Sequence, residues 1–211
     1  MTGKFIVFEG IDGSGKTTQI NYLSKWLIGN DIIPENNQLV ITREPGGTKL
    51  GKSIRSLLLD ISPEISPDSI TELLLYAADR SQHVNEIIRP TLNKGDWIIS
   101  DRFCGSTLAY QGYGRKLDIK LIKDLEIIAT QGISPDITFL LDIPVEESIK
   151  RRINMKDDRI EKEGIKFLSN VSLGFQALSK DNKWKKISGI NSREKIISEI
   201  QYEIKKLIKI K

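Results

Sequence analysis

The chain has 211 residues, 39 % of them apolar and 28 % charged, with a formal net charge of +4 and a pI near 9.0. This is an ordinary globular composition, enough for one well-buried domain and marginal for two; no apolar run approaches the ~20 residues of a membrane helix, and no signal pattern opens the chain, because Phe5-Ile6-Val7-Phe8 meets Glu9 at once. One cysteine, Cys104, excludes an internal disulfide framework and fits a reducing cytoplasm, and much of the positive excess (Lys205, Lys206, Lys209, Lys211) reads as a solvated helix face, not a nucleic-acid or membrane surface.

Lys4–Gly10 (KFIVFEG) reads as a strand with apolar residues at successive positions, so both of its faces are to be buried. Gly10-Ile11-Asp12-Gly13-Ser14-Gly15-Lys16-Thr17 follows and fits G-x-x-x-x-G-K-[ST]. Phosphate oxygens need backbone N–H donors at contact distance, and glycine lets the chain curl that tightly with no Cβ in the way. The helix after it, Thr17–Gly29, aims free N–H groups and its positive dipole end at the same anion. Residues Gly10 to Thr18 are therefore the expected nucleoside-triphosphate-binding loop. Lys16 supplies a charge for the β- and γ-phosphates, and the Thr17 hydroxyl is a candidate Mg²⁺ ligand. A GTPase would add Asn-Lys-x-Asp for guanine, whereas this chain has Asn182-Lys183-Trp184-Lys185.

A second strand, Gln38–Thr42, runs into TREPGG (Thr42–Gly47). A helix at Leu50–Asp60 carries Arg55. A long helix is expected to start with Ser66 as N-cap and Pro67 in the first turn, to bend at Pro90 and to end at Gly95. Arg55 and Arg80 stand in apolar helical surroundings and need partners, either a surface carboxylate or a substrate phosphate or base. Tyr76, one turn before Arg80, shares its face and reads as core unless a base is present. His83 reads as part of a charged helix surface, and neither it nor Cys104 has the neighbours of a catalytic group.

Asp96–Asp101 is a third strand, apolar at successive positions. Asp101 and Arg102 emerge at its carboxyl end beside the glycine loop. Asp101 is placed to orient Mg²⁺ through its water shell, and Arg102 to hold a second phosphate bidentately, the alternative being a structural Asp–Arg pair. Further elements follow: a helix at Leu117–Gln131, a strand at Asp136–Asp142, helices at Val145–Asn154 and Ile165–Lys180, a weaker strand at Lys183–Gly189 and a helix at Ser192–Ile208. Strand–helix alternation throughout predicts an α/β chain with one open sheet, right-handed crossovers and ligands beyond the carboxyl ends of the strands.

FEGIDGSGKTTQ, TREPGGT, YAADR, DRFCGSTLAYQGYGR and DRIE occur in the order and spacing of the thymidylate kinase family, which the chain resembles over nearly its whole length. The resemblance implies a P-loop NTPase-type fold: a five-stranded parallel sheet flanked by helices on both faces, three layers, in a single nucleoside monophosphate kinase domain over residues 1–211. It implies phosphoryl transfer from ATP-Mg²⁺ to dTMP, giving dTDP and ADP on the way to dTTP, with ATP at the P-loop and dTMP opposite. Another nucleoside monophosphate kinase, or a non-catalytic nucleotide-binding module, are the alternatives. By the same resemblance Arg55 and Arg102 hold the dTMP phosphate, Tyr76 stacks on thymine, and Arg80 and Thr107 hydrogen-bond the base. Asp12 approaches the sugar 3′-OH, Tyr110 and Gln111 line the deoxyribose side, and Glu44 belongs to the substrate set. Homodimers, without nucleic-acid or membrane partners, are also implied.

Some members of that family carry an arginine in the P-loop right after the acidic residue. Here Gly13 stands there, which resembles the bacterial arrangement with arginines in a lid. The lid is then residues 150–162 (KRRINMKDDRIEK), with Arg151, Arg152 and Arg159 and with Lys156 between. Adjacent residues on a helix point about 100° apart, so one of Arg151 and Arg152 is expected to face the phosphates, Arg152 being preferred. Arg159 is expected either to join them or to pair with Asp157, Asp158 or Glu161.

Overall fold

The computed structural model describes residues 3–62, 64, 66–154 and 158–209. The described residues form a five-stranded sheet from β1 (Phe5–Glu9), β2 (Leu39–Arg43), β3 (Trp97–Asp101), β4 (Ile137–Asp142) and β5 (Trp184–Ser188). Its order is β2-β3-β1-β4-β5 and every pairing is parallel. β1 is central, with Phe5 opposite Ile98 and Ile6 opposite Ile137.

The unbroken apolar runs split by parity, as side chains alternate along a strand. Ile6, Phe8, Ile99 and Phe139 face one way and pack on Ile20, Leu23 and Leu27 of α1 (Lys16–Gly29) and on Ile196, Ile200 and Ile204 of α9 (Arg193–Leu207). Phe5, Val7 and Ile98 face the other way, against Val84, Ile88 and Phe103. On that side lie α3 (Ser69–His83) and α8 (Ile165–Leu178), whose Phe167, Val171 and Phe175 pack with Leu140 and Tyr110. The result is the three-layer arrangement that the strand runs predict.

Several element bounds differ from expectation. α2 spans Lys49–Leu59, capped by Thr48, whose Oγ1 accepts from Gly51 N at 2.9 Å. The cap of α3 is Asp68 and not Ser66: its carboxylate takes the Ile70 and Thr71 N–H groups at 2.8 and 3.0 Å, two orphan donors at once. The long helix does run on, but it widens into a π-helical turn at Val84–Ile88 before α4 (Arg89–Asn93), where Pro90 supplies no N–H. Cys104–Gly114, for which no element is expected, is helical: α5 (Cys104–Thr107) followed by a π-helical turn, Leu108–Gly114. α6 is Ile119–Thr130, and α7 (Val145–Arg151) stops three residues before Asn154. Lys205 and Lys206 lie exposed at the end of α9, and Lys209 is exposed beyond it; Lys211 lies outside the described residues. No helix among the described residues is long and apolar enough to cross a membrane.

Candidate active site

The carboxyl ends of β1 and β3 open into a cavity of about 930 Å³, near the top of the ~300–1,000 Å³ range of small-molecule sites. The glycine loop forms its floor. Gly10, Gly13 and Gly15 have φ of +138°, +78° and +97°, conformations that L side chains rarely adopt. Lys16 is buried, and its ammonium donates back to Gly10 O at 2.9 Å and Ile11 O at 3.3 Å, 3.7 Å from Asp12 Oδ1. Burial and the nearby Arg102 push that ammonium below its ordinary value, while Asp12 and Asp101 pull it back. Ser14 and Ile11 are buried; Thr17 is exposed and Thr18 half-buried, and both threonines line the cavity.

The opposite wall is built on Arg102. Its φ of +75° places a non-glycine residue in the left-handed region, at a cost of about 1–3 kcal/mol. Backbone bonds fix it there: Arg102 N donates to Phe8 O at 2.9 Å, and Ser100 Oγ donates to Arg102 O at 2.8 Å. The side chain therefore turns into the cavity, where the guanidinium donates to Asp12 Oδ1 at 2.8 Å and to Ser106 Oγ at 3.0 Å and lies over the Tyr110 ring. Burial works to raise the Asp12 carboxyl, but Arg102 and Lys16 beside it prevail and hold it well below the usual carboxylate range. Arg55, half-buried, donates to Pro45 O at 3.1 Å and shares this wall with Tyr76, whose phenol burial pushes up.

The far end is a buried polar network. Arg80 donates to Glu44 Oε2 at 2.7 Å, to Thr107 Oγ1 at 2.9 Å and to Glu126 on α6, with its guanidinium over Phe103. Arg80 thus finds carboxylate partners in the interior, not at the surface. His83 corrects the sequence reading: it is 0 % exposed, 2.8 Å from Glu44 Oε1 and 2.7 Å from Thr42 Oγ1. Its spacing of three residues from Arg80 puts both on one helix face. Gln111 is buried and donates to Glu72 Oε1 at 2.8 Å.

Ser148 on α7 donates to Asp12 O at 2.6 Å and holds this helix against the glycine loop. A Cβ on Gly13 would lie 3.1 Å from Ser148 O and 3.4 Å from Arg152 Cγ. Position 13 is bare because α7 ends on top of it. Arg151 donates to Gly13 O, Gly189 O and Glu147 at 3.2, 3.1 and 2.8 Å. Arg152, buried, pairs with Glu161 at 2.7 Å. Both arginines line the cavity; the helix ends between them, and Arg152 has left helical geometry (φ −101°, ψ 5°). Arg159 departs from the sequence reading more fully. It donates to Leu58 O at 2.9 Å and pairs with Glu72 at 2.5 Å, while the Asp158 carboxylate instead accepts from the Ile160 and Glu161 amides. Lys156 and Asp157 lie outside the described residues.

A sequence profile described as thymidylate kinase matches residues 8–200. A protein named thymidylate kinase from Prochlorococcus marinus (strain NATL2A) is 85 % identical over 211 residues, the whole of both chains. Another from strain MIT 9313 of the same organism is 51 % identical over 205 residues, 97 % of this chain and 95 % of that one. The crystal structure of thymidylate kinase from Ehrlichia chaffeensis superposes with a TM-score of 0.77 at 36 % identity, covering 97 % of this chain and 99 % of that one. The chain belongs to the thymidylate kinase family. Thymidylate kinases couple ATP to phosphoryl transfer and generally use Mg²⁺, and the residues present fit that ion. Asp101 Oδ1 is buried and takes no hydrogen bond from the described residues, an acceptor left open at the edge of a phosphate loop.

Sequence reasoning missed three carboxylates. Glu9 is 0 % exposed and accepts from Phe103 N and Ser106 N at 3.0 Å each and from Ser106 Oγ at 2.6 Å. Burial drives its carboxyl up to about 7, against the Arg102 charge and these bonds. Glu72 gathers Gln111, Arg115 and Arg159, and Glu126 closes over Arg80. Their partners lie far along the chain, so no local pattern marks them. Arg193, at the start of α9, also lines the glycine-loop end of the cavity.

Proposed function

We propose that the chain transfers the γ-phosphoryl group of ATP to the 5′-phosphate of dTMP, releasing dTDP and ADP, within deoxynucleotide biosynthesis. The observation that carries this is one continuous cavity with two phosphate-grade ends, the glycine loop with Lys16 and the wall of Arg102 and Arg55, beyond which lies the Arg80–Glu44–Thr107 network. A dTMP phosphate oxygen attacks the γ-phosphorus, and the bond to the β–γ bridging oxygen breaks. The electron pair leaves with ADP, so no covalent enzyme intermediate is needed. Catalysis is then positioning plus charge neutralisation. Lys16 and the loop amides hold the donor phosphates. Arg102 and Arg55 hold the acceptor phosphate, Asp12 meets the sugar, Tyr110 and Gln111 line it, and Tyr76, Arg80 and Thr107 take the base.

Thr17 and Asp101 would hold Mg²⁺, which when bound neutralises charge between the β- and γ-phosphates. Gly13 carries no cation, so we assign the charge over the transferring group to Arg151 and Arg152, with Arg152 preferred because it is the more buried of the two and is held at the cavity wall by its ion pair with Glu161. We read residues 1–211 as one catalytic domain, with the described part of segment 150–162 closing the donor side. We also read the enzyme as cytoplasmic, where both nucleotides are made, and as a homodimer. Ile70 and Leu74 of α3, Leu121, Ile127 and Ile128 of α6 and Leu57 of α2 leave apolar side chains exposed on helices packed side by side, which supports the homodimer.

An ADP-release assay with dTMP, dUMP, AMP and GMP tests this function. Turnover is expected with dTMP, and a pocket shaped to one methyl group should favour it over dUMP by about 10–200-fold in kcat/KM. Turnover of AMP or GMP above dTMP, or of none of the four, would overturn the assignment.

A further inference from the structure

Glu9 is the last residue of β1, directly before the glycine loop, yet the hydrogen bonds its carboxylate accepts come from the chain that follows β3. Its carboxylate grips one turn of chain 94 and 97 residues later in sequence. Oε1 accepts from the amides of Phe103 and Ser106 at 3.0 Å each, and Oε2 accepts from the Ser106 hydroxyl at 2.6 Å. The same Ser106 oxygen accepts from Arg102 Nη1 at 3.0 Å. Two bonds therefore connect Glu9 to the arginine of the acceptor wall. The turn is closely fitted to the carboxylate: a Cβ on Gly105 would lie 2.9 Å from Glu9 Oε1 and 2.6 Å from the Trp184 ring. Lys16, the cation of the loop, donates to Gly10 O and Ile11 O. Among the described residues, the hydrogen bonds that Glu9 accepts all come from Phe103 and Ser106.

We propose that Glu9 is a positioning residue for the acceptor phosphate: by gripping the Phe103–Ser106 turn it fixes Ser106, and through Ser106 the Arg102 guanidinium, in the pose that receives dTMP. This rests on the function proposed above. A merely structural Glu9 would alter stability and leave the two Michaelis constants alone or move them together. A positioning Glu9 separates them, because the Arg102 guanidinium stands on the wall assigned to the acceptor phosphate, whereas the donor phosphates are assigned to Lys16 and the loop amides.

The test is steady-state kinetics of Glu9→Gln, Glu9→Ala, Ser106→Ala and Glu9→Gln/Ser106→Ala, with dTMP and ATP varied independently. In Glu9→Gln the carboxamide oxygen still serves both amides, but its NH₂ now meets the Ser106 oxygen, whose hydroxyl hydrogen loses its acceptor. The KM for dTMP should rise about tenfold, the worth of one charge-assisted hydrogen bond. The KM for ATP should stay within about twofold. Ser106→Ala should raise the same constant, and the double variant should be no worse than the poorer single one, as residues acting in series require. Glu9→Ala should exceed Glu9→Gln; if it fails to fold, Glu9→Gln decides. A folded Glu9→Gln with an unchanged KM for dTMP, or with both constants rising together, overturns the proposal alone. Absence of dTMP turnover by the parent enzyme overturns the proposed function, and this proposal with it.

Discussion

The Glu9 carboxyl titrates near 7 in the folded chain, above its ordinary value of 4.5. The folded chain then holds this proton more firmly than the unfolded chain does. Its contribution to stability is fully present below about pH 4.5 and is lost as the pH rises through about 7. Glutamine keeps the neutral form at every pH. Thermal melts of the nucleotide-free protein should therefore show the parent losing stability relative to Glu9→Gln between pH 4.5 and 7. Parallel curves across that window would mean that Glu9 is already ionised throughout. Glu9 and His83 also show where sequence reading stops. Each looks ordinary among its sequence neighbours, and each is decided by partners that only the fold supplies: Ser106 and Phe103 for one, Glu44 and Thr42 for the other.

At the level of elements, the contact between α7 and Gly13 is the feature most open to a single substitution. Alanine at Gly13 has to adopt a φ of +78°, at a cost of roughly 1–2 kcal/mol, and its Cβ meets Ser148 O at 3.1 Å. Gly13→Ala should lower the melting temperature and also kcat, since α7 must lift and take both arginines with it. A lower melting temperature with unchanged kcat would separate the helix contact from the chemistry. Arg151→Ala and Arg152→Ala, made singly, should show one loss of orders of magnitude in kcat, toward the ~10³–10⁵ of positioned arginines elsewhere, with modest change in the KM for ATP. If both stay within severalfold of the parent, the charge comes from another group. The strands and the glycine loop were readable because burial on both faces and tight phosphate contact each demand a particular local residue pattern. Cys104–Gly114 was not, since Gly105, Gly112 and Gly114 argue against helix by propensity. Packing overrides that bias: Cβ atoms at these glycines would meet Trp184, Ile119 and Phe167 at 2.6, 2.4 and 2.6 Å.

At the scale of the molecule, Ile128 and Leu74 stand 70 % and 50 % exposed on neighbouring helices, a costly arrangement for an isolated chain. Ile128→Glu should shift the sedimentation mass from dimer to monomer while the monomer stays folded; a parent protein that sediments as a monomer at micromolar concentration would overturn the dimer. The sheet order has another consequence, for the order in which the chain is made. β1 leaves the ribosome first, yet its partners are Trp97–Asp101 and Ile137–Asp142. At about 5–20 residues per second, the apolar stretch Phe5–Phe8 waits several seconds or more for either neighbour. During synthesis the glycine loop has no strand to stand on until β3 and β4 have both emerged. Capture of ATP by a nascent chain should accordingly begin abruptly, once β3 and β4 have emerged, and chaperones that shield exposed apolar segments should find their target in Phe5–Phe8.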